Sequence, residues 1–237
     1  MRVIFAGPTV HAANLQPSVE YQLRPPARQG DVFRAVQDGA HVIGLIDGVY
    51  EDVPAIWHKE ILYGLSKGVH TFGAASMGAL RAAECSPFGM VGIGQIYEDY
   101  ASGRLENDSD VAQSHAPADM GYLPLSEALV NVHATLCHCL ERCLITEDEH
   151  DRLQVAAERI FFKNRTYRQL TRAAIPNVER AGTVLAILKA HSVNLKFDDA
   201  QRLIEAVVRT PDQRFDPQFD WTFEATRFWN SSFPPDA

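Results

Sequence analysis

The sequence has few of the features that mark membrane, secreted or fibrous proteins. Only four cysteines occur in 237 residues, which is too few for a disulfide framework. No apolar run approaches the ~20 residues that a membrane-spanning helix needs. The apolar stretch at residues 1–7 is also too short for a signal peptide. These absences favour a cytoplasmic protein with reduced thiols and without membrane association.

Positive charge is scarce as well. Lys plus Arg number 22 against 30 Asp plus Glu, so the net charge is −8. A chain this acidic is a poor non-specific binder of nucleic acid. In other respects the composition is that of a globular protein, with 46% hydrophobic and 22% charged residues. The length favours one large domain or two small ones.

The first half of the chain alternates short apolar runs with helical patterns. Strands are predicted at residues 3–6, 21–23, 41–48, 69–75 and 90–93, and helices at 32–36, 54–67, 76–85 and 95–101. Asp31 is a candidate N-cap for the first of these helices. Because strands and helices alternate, we expect a parallel-rich sheet flanked by helices, forming an α/β core over residues 1–125.

After residue 125 the pattern becomes helical. Helices are predicted at residues 126–144, 147–162, 178–190 and 198–208. Thr146 and Glu149 have the spacing of a capping box. We therefore expect residues 126–237 to form a helical C-terminal region that ends in an aromatic tail. The seven Phe and Trp residues after position 210 need cover, either from the helical region of their own chain or from a partner or second copy.

Three polar side chains are expected at the carboxyl edge of the sheet, where open α/β sheets bind ligands. Asp47 ends one predicted strand, and Ser76 ends the next strand and begins a helix. His58 lies near the first turn of the helix that follows Asp47. The order of these elements predicts that the three residues face the same rim.

Ser76 is the most specific of these candidates. The string Gly73-Ala74-Ala75-Ser76-Met77-Gly78-Ala79 surrounds its hydroxyl with small residues, which permit a sharp turn and close approach of a substrate carbonyl. The N-terminus of the following helix suits an oxyanion. The string is similar to the nucleophile segment of Clp-type peptidases. Ser76 is therefore either a nucleophile or a simple N-cap, since serine is favoured at caps as well.

A serine nucleophile needs a base. His115, which precedes a proline turn, and His58 are the two candidates, and either Asp47 or Glu60 would orient the imidazole. Nothing in the order of the elements chooses between the two histidines.

Metal and nucleotide sites are not expected. His133, Cys137, Cys139 and Cys143 crowd one predicted helix, but they do not share a face and form no Cys-x-x-Cys pair. Buried free thiols are the expectation instead. The glycine-rich segments lack the Lys-Ser/Thr of a phosphate loop, so neither ATP nor another cofactor is predicted.

Several short strings, taken in order over residues 1–135, resemble the TfuA family, which is named for its link to trifolitoxin biosynthesis. The matching pieces are Phe5-Ala6-Gly7-Pro8-Thr9, Pro25-Pro26-Ala27, Gly30-Asp31-Val32, Ile43-Gly44-Leu45-Ile46-Asp47-Gly48, Trp57-His58-Lys59-Glu60-Ile61-Leu62, residues 73–84, Phe88-Gly89-Met90, His115-Ala116-Pro117-Ala118, Gly121-Tyr122 and Leu125-Ser126-Glu127-Ala128.

The resemblance implies a role beside YcaO-type ATP-dependent enzymes, which replace a backbone oxygen of a precursor peptide with sulfur to make a thioamide. The TfuA-like partner of such an enzyme releases sulfide from a thiocarboxylated, ubiquitin-like sulfur carrier of the ThiS type. It also helps the YcaO enzyme engage its peptide. The expected partners are therefore the YcaO enzyme, the ThiS-like carrier and the precursor peptide. The sequence does not decide whether the protein forms a homo-oligomer.

Hydrolysis of a thiocarboxylate is an acyl transfer to water, which needs a nucleophile or activated water, a base and an oxyanion site. Under the resemblance, the expected catalytic residues are Ser76, His115, Asp47 and His58. Substrate contacts are expected within the matching segment 73–84, from Gly73, Met77, Gly78, Arg81 and Glu84. The alternative is a non-catalytic docking protein that binds the YcaO enzyme and enhances its engagement of the peptide.

Overall fold

A computed structural model describes residues 1–10, 18–49, 51 and 53–233. Five strands form one parallel sheet in the order β2-β1-β3-β4-β5. The strands are β1 (Arg2–Phe5), β2 (Gln22–Arg24), β3 (Val42–Leu45), β4 (His70–Ala74) and β5 (Val91–Ile93). Each pairs in parallel with its neighbours, Val3 lying opposite Ile43 for example. The predicted α/β class with a parallel sheet is confirmed.

The central strands are buried on both faces, as their nearly continuous apolar sequence predicts. Val3, Phe5, Ile43 and Leu45 pack in the core under one face. The helices of that core are α1 (Asp31–Gln37), α2 (His58–Ser66) and α3 (Met77–Cys85), and α4 (Gln95–Ala101) follows β5.

Asp31 is not the N-cap of α1. Gly30 occupies that position with φ 90°, and Asp31 is the first helical residue. Its carboxylate accepts a hydrogen bond from the Arg28 backbone N–H at 2.9 Å and pairs with Arg34. The helix dipole favours an acidic residue in the first turn even when that residue is not the N-cap. The sequence pattern therefore does not distinguish the N-cap from the first helical position.

The C-terminal half is helical, as predicted. Its helices are α5 (Leu129–Glu141), α6 (Glu147–Arg159), α7 (Tyr167–Ala174), α8 (Val178–Ala190), α9 (Leu195–Arg209) and α10 (Arg227–Ser232). The Thr146–Glu149 capping box is confirmed, with both hydrogen bonds present. The sequence did not predict α7 or α10. These are short helices capped by Thr166 and Thr226.

Helices α5 to α8 form a second core of their own, but α9 does not belong to it. Ala200, Leu203 and Val207 of α9 pack on Ile4 and Val42, which face away from α1 and α2. The apolar stripe of α9 therefore covers the second face of the sheet.

The cysteines differ in part from the expectation of buried thiols. Cys85 and Cys139 are buried, whereas Cys137 and Cys143 are exposed. Helix α5 ends at Glu141, and Cys143 follows with φ 54°. The chain has left the helix before Cys143, so this residue is not on the apolar stripe.

The aromatic tail packs against its own chain, but on the α/β core rather than on the helical region. Phe215, Phe219 and Trp221 pack on the core below α1 to α3. Trp229 and Phe233 pack with Phe33 of α1. The surface left open between α1 and α2 is itself aromatic, which explains why the tail covers it. Residues 234–237 of the tail lie outside the described chain. None of the described helices combines the length and apolarity that a bilayer crossing needs.

Candidate functional site

A small cavity lies where the strand order reverses, at the carboxyl ends of β1 and β3. Its volume is about 80 Å³. The lining includes Asp47, Ser76, Gln113, His115 and Lys196. Open parallel sheets bind ligands at this switch point, so the cavity lies where the topology favours a site.

Asp47 holds the loop after β1 in place. Its carboxylate accepts hydrogen bonds from the backbone N–H groups of Gly7 and Thr9 at 2.8 and 3.0 Å. The Thr9 hydroxyl donates a third at 2.6 Å. Asp47 is only 1% exposed, and these three donors compensate its buried charge. Both carboxylate oxygens are thus engaged with β1 and its loop.

Ser76 stands on a tight turn between β4 and α3. Ala75 adopts φ 67°, a conformation that costs a non-glycine residue of order 1 kcal/mol. The Ser76 N–H donates to the Ala74 carbonyl at 2.8 Å, closing a three-residue γ-turn. The Gly78 N–H then donates to the Ile46 carbonyl at 3.0 Å, which ties the start of α3 to the end of β3. This strained strand-to-helix turn resembles those that expose nucleophilic serines.

The Ser76 hydroxyl does not cap α3. Ser76 is at the N-cap position, but its side chain makes no cap hydrogen bond, nor one with any other described residue. The backbone N–H of Met77, directly after it, has no acceptor in the described part of the chain. The N-terminus of α3 therefore carries a hydroxyl and an adjacent backbone N–H without described partners, and free N–H groups at a helix N-terminus can stabilise an oxyanion.

His115 lines the same cavity in a fixed orientation. Its Nδ1 lies 2.8 Å from the Ala116 carbonyl oxygen, and its ring packs edge-on to Tyr122. A bond to a carbonyl requires the proton on Nδ1, so the neutral ring presents the Nε2 lone pair. Neither carboxylate considered as an orienting group contacts this ring. Asp47 is engaged as described, and Glu60 accepts the N–H groups of Gly30, Phe33 and Trp57.

Lys196 is the cavity residue that sequence reasoning missed. It lies in the first turn of α9 and is 1% exposed. Its Nζ donates to the Val111 carbonyl at 2.9 Å and to the Gln113 side-chain oxygen at 3.1 Å. Burial lowers the pKa of Lys196 to about 8, against an opposing effect of the Asp47 charge.

A signal for Lys196 does exist in the sequence. The buried positions of α9 are Lys196, Asp199, Ala200, Leu203 and Val207, which follow helical spacing. A lysine on an apolar stripe is the exception that points to a function or a buried partner. The predicted helix began only at residue 198, so Lys196 fell outside the pattern.

His58, Arg81 and Glu84 form a separate cluster outside the cavity. His58 Nε2 and Arg81 Nη1 contact the same Glu84 oxygen at 2.7 and 2.6 Å. Burial opposes the effect, but these hydrogen bonds hold the pKa of Glu84 below its usual value. His58 does not line the cavity, because its imidazole is held by Glu84 and Arg81 of α3.

Met77, Arg81 and Glu84 line a separate pocket of about 390 Å³ beside α3, and Gly73, Met77 and Gly78 lie where α3 packs on the sheet. A Cβ on Gly78 would overlap the Leu45 carbonyl oxygen, and one on Gly73 would overlap the Gly78 carbonyl oxygen. Met77 is buried in the core and fills the space beside Gly48. These residues let α3 approach β3 closely enough to set the turn that presents Ser76.

A groove of about 360 Å³ adjoins the cavity and shares Val49 and His115 with it. Arg24, Arg28 and Tyr122 are among its other lining residues. Asp31 also lines the groove, and Arg24 pairs with Asp38 at 2.8 Å, so Arg28 is the guanidinium group of the groove without a described ion-pair partner.

Comparison with known proteins identifies the family of the chain. No curated protein matches the chain. A family model described as TfuA-like protein matches residues 47–166. The matched span covers half of the chain and contains Asp47, Ser76 and His115, while Lys196 lies beyond it. The chain therefore belongs to the family of TfuA-like proteins.

Proposed function

We propose that this protein hydrolyses the C-terminal thiocarboxylate of a ThiS-like carrier protein and so supplies sulfide to a YcaO-type enzyme. Its membership of the TfuA-like family supports a role associated with YcaO thioamidation. One observation carries the hydrolytic proposal: Ser76 and His115 line the same small cavity. The Ser76 hydroxyl lies on a strained turn and makes no capping hydrogen bond, and the Nε2 of His115 is open.

The proposed reaction has two acyl-transfer steps. His115 Nε2 takes the Ser76 proton while Oγ attacks the thiocarboxylate carbonyl carbon, and the Met77 N–H stabilises the oxyanion. The C–S bond breaks, sulfur leaves with that proton as hydrosulfide, and an acyl ester remains on Ser76. Water then attacks the ester with His115 again as base. The net change is thiocarboxylate plus water to carboxylate plus hydrogen sulfide.

The groove beside the cavity supports a protein substrate over a small free acid. A carrier terminus is an extended chain that ends in an anion, and the groove that meets His115 contains Arg28, which has no ion-pair partner among the described residues. Arg24 and Asp31 also line the groove, and Arg24 pairs with Asp38. The cavity of about 80 Å³ has room for a small terminal acyl group only. A folded domain would stay outside while its terminus enters.

The experiment is sulfide release from a thiocarboxylated carrier, measured for the wild type, Ser76→Ala and His115→Ala. Loss of the nucleophile or the base should slow release by ~10²-fold or more. Ser86→Ala is the matched control, because Ser86 lies at the other end of α3 and only donates to the Ala83 carbonyl. Wild-type rates in folded Ser76→Ala or His115→Ala protein would refute the assignment.

A second function, docking on the YcaO enzyme, is favoured by a different observation. The loop after His115 exposes Met120, Leu123 and Leu125 to solvent, and such side chains are common at interfaces. Docking predicts that Ser76→Ala protein still binds the YcaO enzyme and still raises thioamide formation when sulfide is supplied directly. Hydrolysis alone predicts that added sulfide makes the protein dispensable.

A further inference from the structure

His115 lies on a short hairpin that is closed by backbone hydrogen bonds. The Ala116 N–H donates to the Leu123 carbonyl, and the Leu125 N–H donates to the Ser114 carbonyl, both at 2.8 Å. The residues at the end of the loop are thereby brought back to the side chain of His115.

Tyr122 ends this loop in a left-handed backbone conformation. Its φ is 58°, and Gly121 before it has φ 67°. Glycine adopts this region freely, whereas a residue with a bulky side chain is unfavourable there. The Tyr122 N–H donates to the Pro117 carbonyl at 3.3 Å, but a glycine at this position would form the same bond. The strain therefore indicates that the tyrosine ring itself has a role.

The Tyr122 ring lies between His115 and the loop after β1. The centroids of the Tyr122 and His115 rings are 5.7 Å apart, with the ring planes at 67°. This is the edge-to-face geometry that aromatic pairs prefer. On the other side, a Cβ on Gly7 would lie 3.4 Å from Tyr122 Cγ. The half-buried Tyr122 ring therefore borders the imidazole and restricts its rotation.

We propose that Tyr122 is a positioning residue, which holds the His115 imidazole in the orientation that keeps Nε2 available in the cavity. The inference rests on the proposed function for the use of Nε2 as a base. It assigns to an aromatic ring the orienting task that a carboxylate performs in the Ser-His-Asp arrangement.

The surroundings of His115 are the reason why a ring is needed. In the described part of the chain, the His115 side chain makes one hydrogen bond, from Nδ1 to the Ala116 carbonyl, which selects the tautomer. One such bond to the neighbouring residue does not fix the plane of the imidazole. Asp47 and Glu60 are engaged with backbone N–H groups elsewhere. The edge-on contact with Tyr122 supplies the second restraint.

The first test compares sulfide release from thiocarboxylated carrier by the wild type, Tyr122→Phe and Tyr122→Asn. Phenylalanine keeps the ring, so kcat should stay within about twofold of the wild-type value. Asparagine tolerates the left-handed backbone but removes the ring. We expect its kcat to fall about tenfold with little change in KM, which is less than the ~10²-fold cost of losing the base itself. A Tyr122→Phe loss as large as that of Tyr122→Asn would assign the role to the hydroxyl and overturn the proposal.

Cys143→Asn is the matched control. Cys143 is exposed and also has a left-handed backbone, with φ 54°, but it does not line the cavity. The kcat of this variant should equal that of the wild type. A raised KM with unchanged kcat in Tyr122→Asn would mean that the ring serves the substrate groove and not His115, and this also overturns the proposal.

A second measurement reads the imidazole directly and needs no substrate. The ¹⁵N signals of His115 Nδ1 and Nε2 are recorded at about pH 8.5, where an ordinary imidazole is neutral. We expect one tautomer, protonated on Nδ1, in the wild type and in Tyr122→Phe. In Tyr122→Asn the signals should average, because a ring that turns away from the Ala116 carbonyl no longer favours one tautomer. Wild-type signals in folded Tyr122→Asn protein overturn the proposal.

The two measurements separate this inference from the hydrolase proposal. If the ¹⁵N signals average in Tyr122→Asn but the wild type releases no sulfide, the positioning role stands and the hydrolytic function fails. If the wild type releases sulfide and Tyr122→Asn retains both its kcat and the single tautomer, the hydrolytic function stands and the role of Tyr122 fails.

Discussion

The cavity at the carboxyl edge of the sheet and the aromatic cluster beside α1 and α2 differ in how completely their side chains are paired. The Ser76 cavity, at the carboxyl edge, leaves a hydroxyl, a backbone N–H and a buried ammonium hydrogen without described partners. The aromatic seam, beside α1 and α2, leaves almost no ring without a packing partner. The seam is defined here as Phe33, Trp57, Tyr63, Phe223, Trp229 and Phe233.

In the seam each ring contacts others in edge-on or stacked pairs. Trp229 packs against Phe33 and Tyr63 with ring centroids 5.6 and 5.3 Å apart. Phe233 stacks on Phe33 at 4.7 Å. Such pairs add to the apolar area already buried. The difference teaches that the seam is a stabilising part of the fold, whereas the cavity keeps polar groups available for chemistry. Missing partners alone do not locate a site, because His133 Nε2, Arg165 Nη1 and Trp221 Nε1 are also buried without a described partner, away from the cavity.

The largest expected effect on stability is from Trp229→Ala. Trp229 is 4% exposed at the centre of the seam, and removing a buried Trp costs about 3–5 kcal/mol of unfolding free energy. Urea denaturation followed by circular dichroism measures this loss. Sulfide release at a temperature where the variant is folded should be unchanged, because the seam does not line the cavity.

Phe228→Ala is the matched control for that variant. Phe228 belongs to the same short helix and stacks on Trp57, but it is 67% exposed. Its removal should cost less than ~1 kcal/mol. If Phe228→Ala loses as much unfolding free energy as Trp229→Ala, the tail is held by its outer face. If Trp229→Ala reduces sulfide release, the seam and the cavity are not independent regions.

The seam also shows which parts of the fold the sequence predicts. The parallel sheet and most helix positions follow from apolar periodicity, because each strand and helix buries a face that its own residues define. The tail has no such periodicity, and its partner surface on α1 and α2 is distant in sequence. The prediction that it covers the helical region was wrong for that reason.

The candidate site also combines residues that the sequence predicts with residues that it does not. Asp47 and Ser76 follow neighbouring strands, so strand order predicts that they converge, but it does not choose His115 over His58. Lys196 reaches them from α9, which crosses the opposite face of the sheet, and no local pattern relates position 196 to position 76. His58 has the right position in sequence, but its pairing with Glu84 and Arg81 depends on how α2 and α3 pack, which periodicity does not determine.

Asp47→Ala tests whether a cavity residue can also be structural. Its removal leaves the buried N–H groups of Gly7 and Thr9 without an acceptor, at about 1–2 kcal/mol each. We expect a total loss of about 2–4 kcal/mol of unfolding free energy in urea denaturation, together with loss of sulfide release because the loop after β1 is released. The loss is slightly smaller than that for Trp229.

Asp47→Asn sharpens this result, because the amide oxygen can still accept from the two backbone N–H groups. Most of the stability should return. The negative charge that opposes the lowering of the Lys196 pKa is gone, so that pKa should fall further, and the ¹³Cε NMR signal of Lys196 measures it. An unchanged Lys196 pKa in Asp47→Asn protein would show that Asp47 and Lys196 are not coupled.

The smallest effects are expected in the His58–Arg81–Glu84 cluster, which is polar like the cavity but mutually satisfied and half-exposed. Glu84→Gln should cost no more than ~0.5–1 kcal/mol at pH 7, since exposed ion pairs contribute little. Because the folded-state pKa of Glu84 is lowered, its contribution is present above the usual carboxyl pKa and disappears as the pH falls through the lowered value. Urea denaturation of wild type and variant at pH 7 and at acid pH measures this convergence, and kcat for sulfide release should be unchanged. A large loss of kcat in Glu84→Gln or His58→Ala would mean that paired, exposed groups take part in the chemistry, and the contrast between this cluster and the cavity would no longer hold.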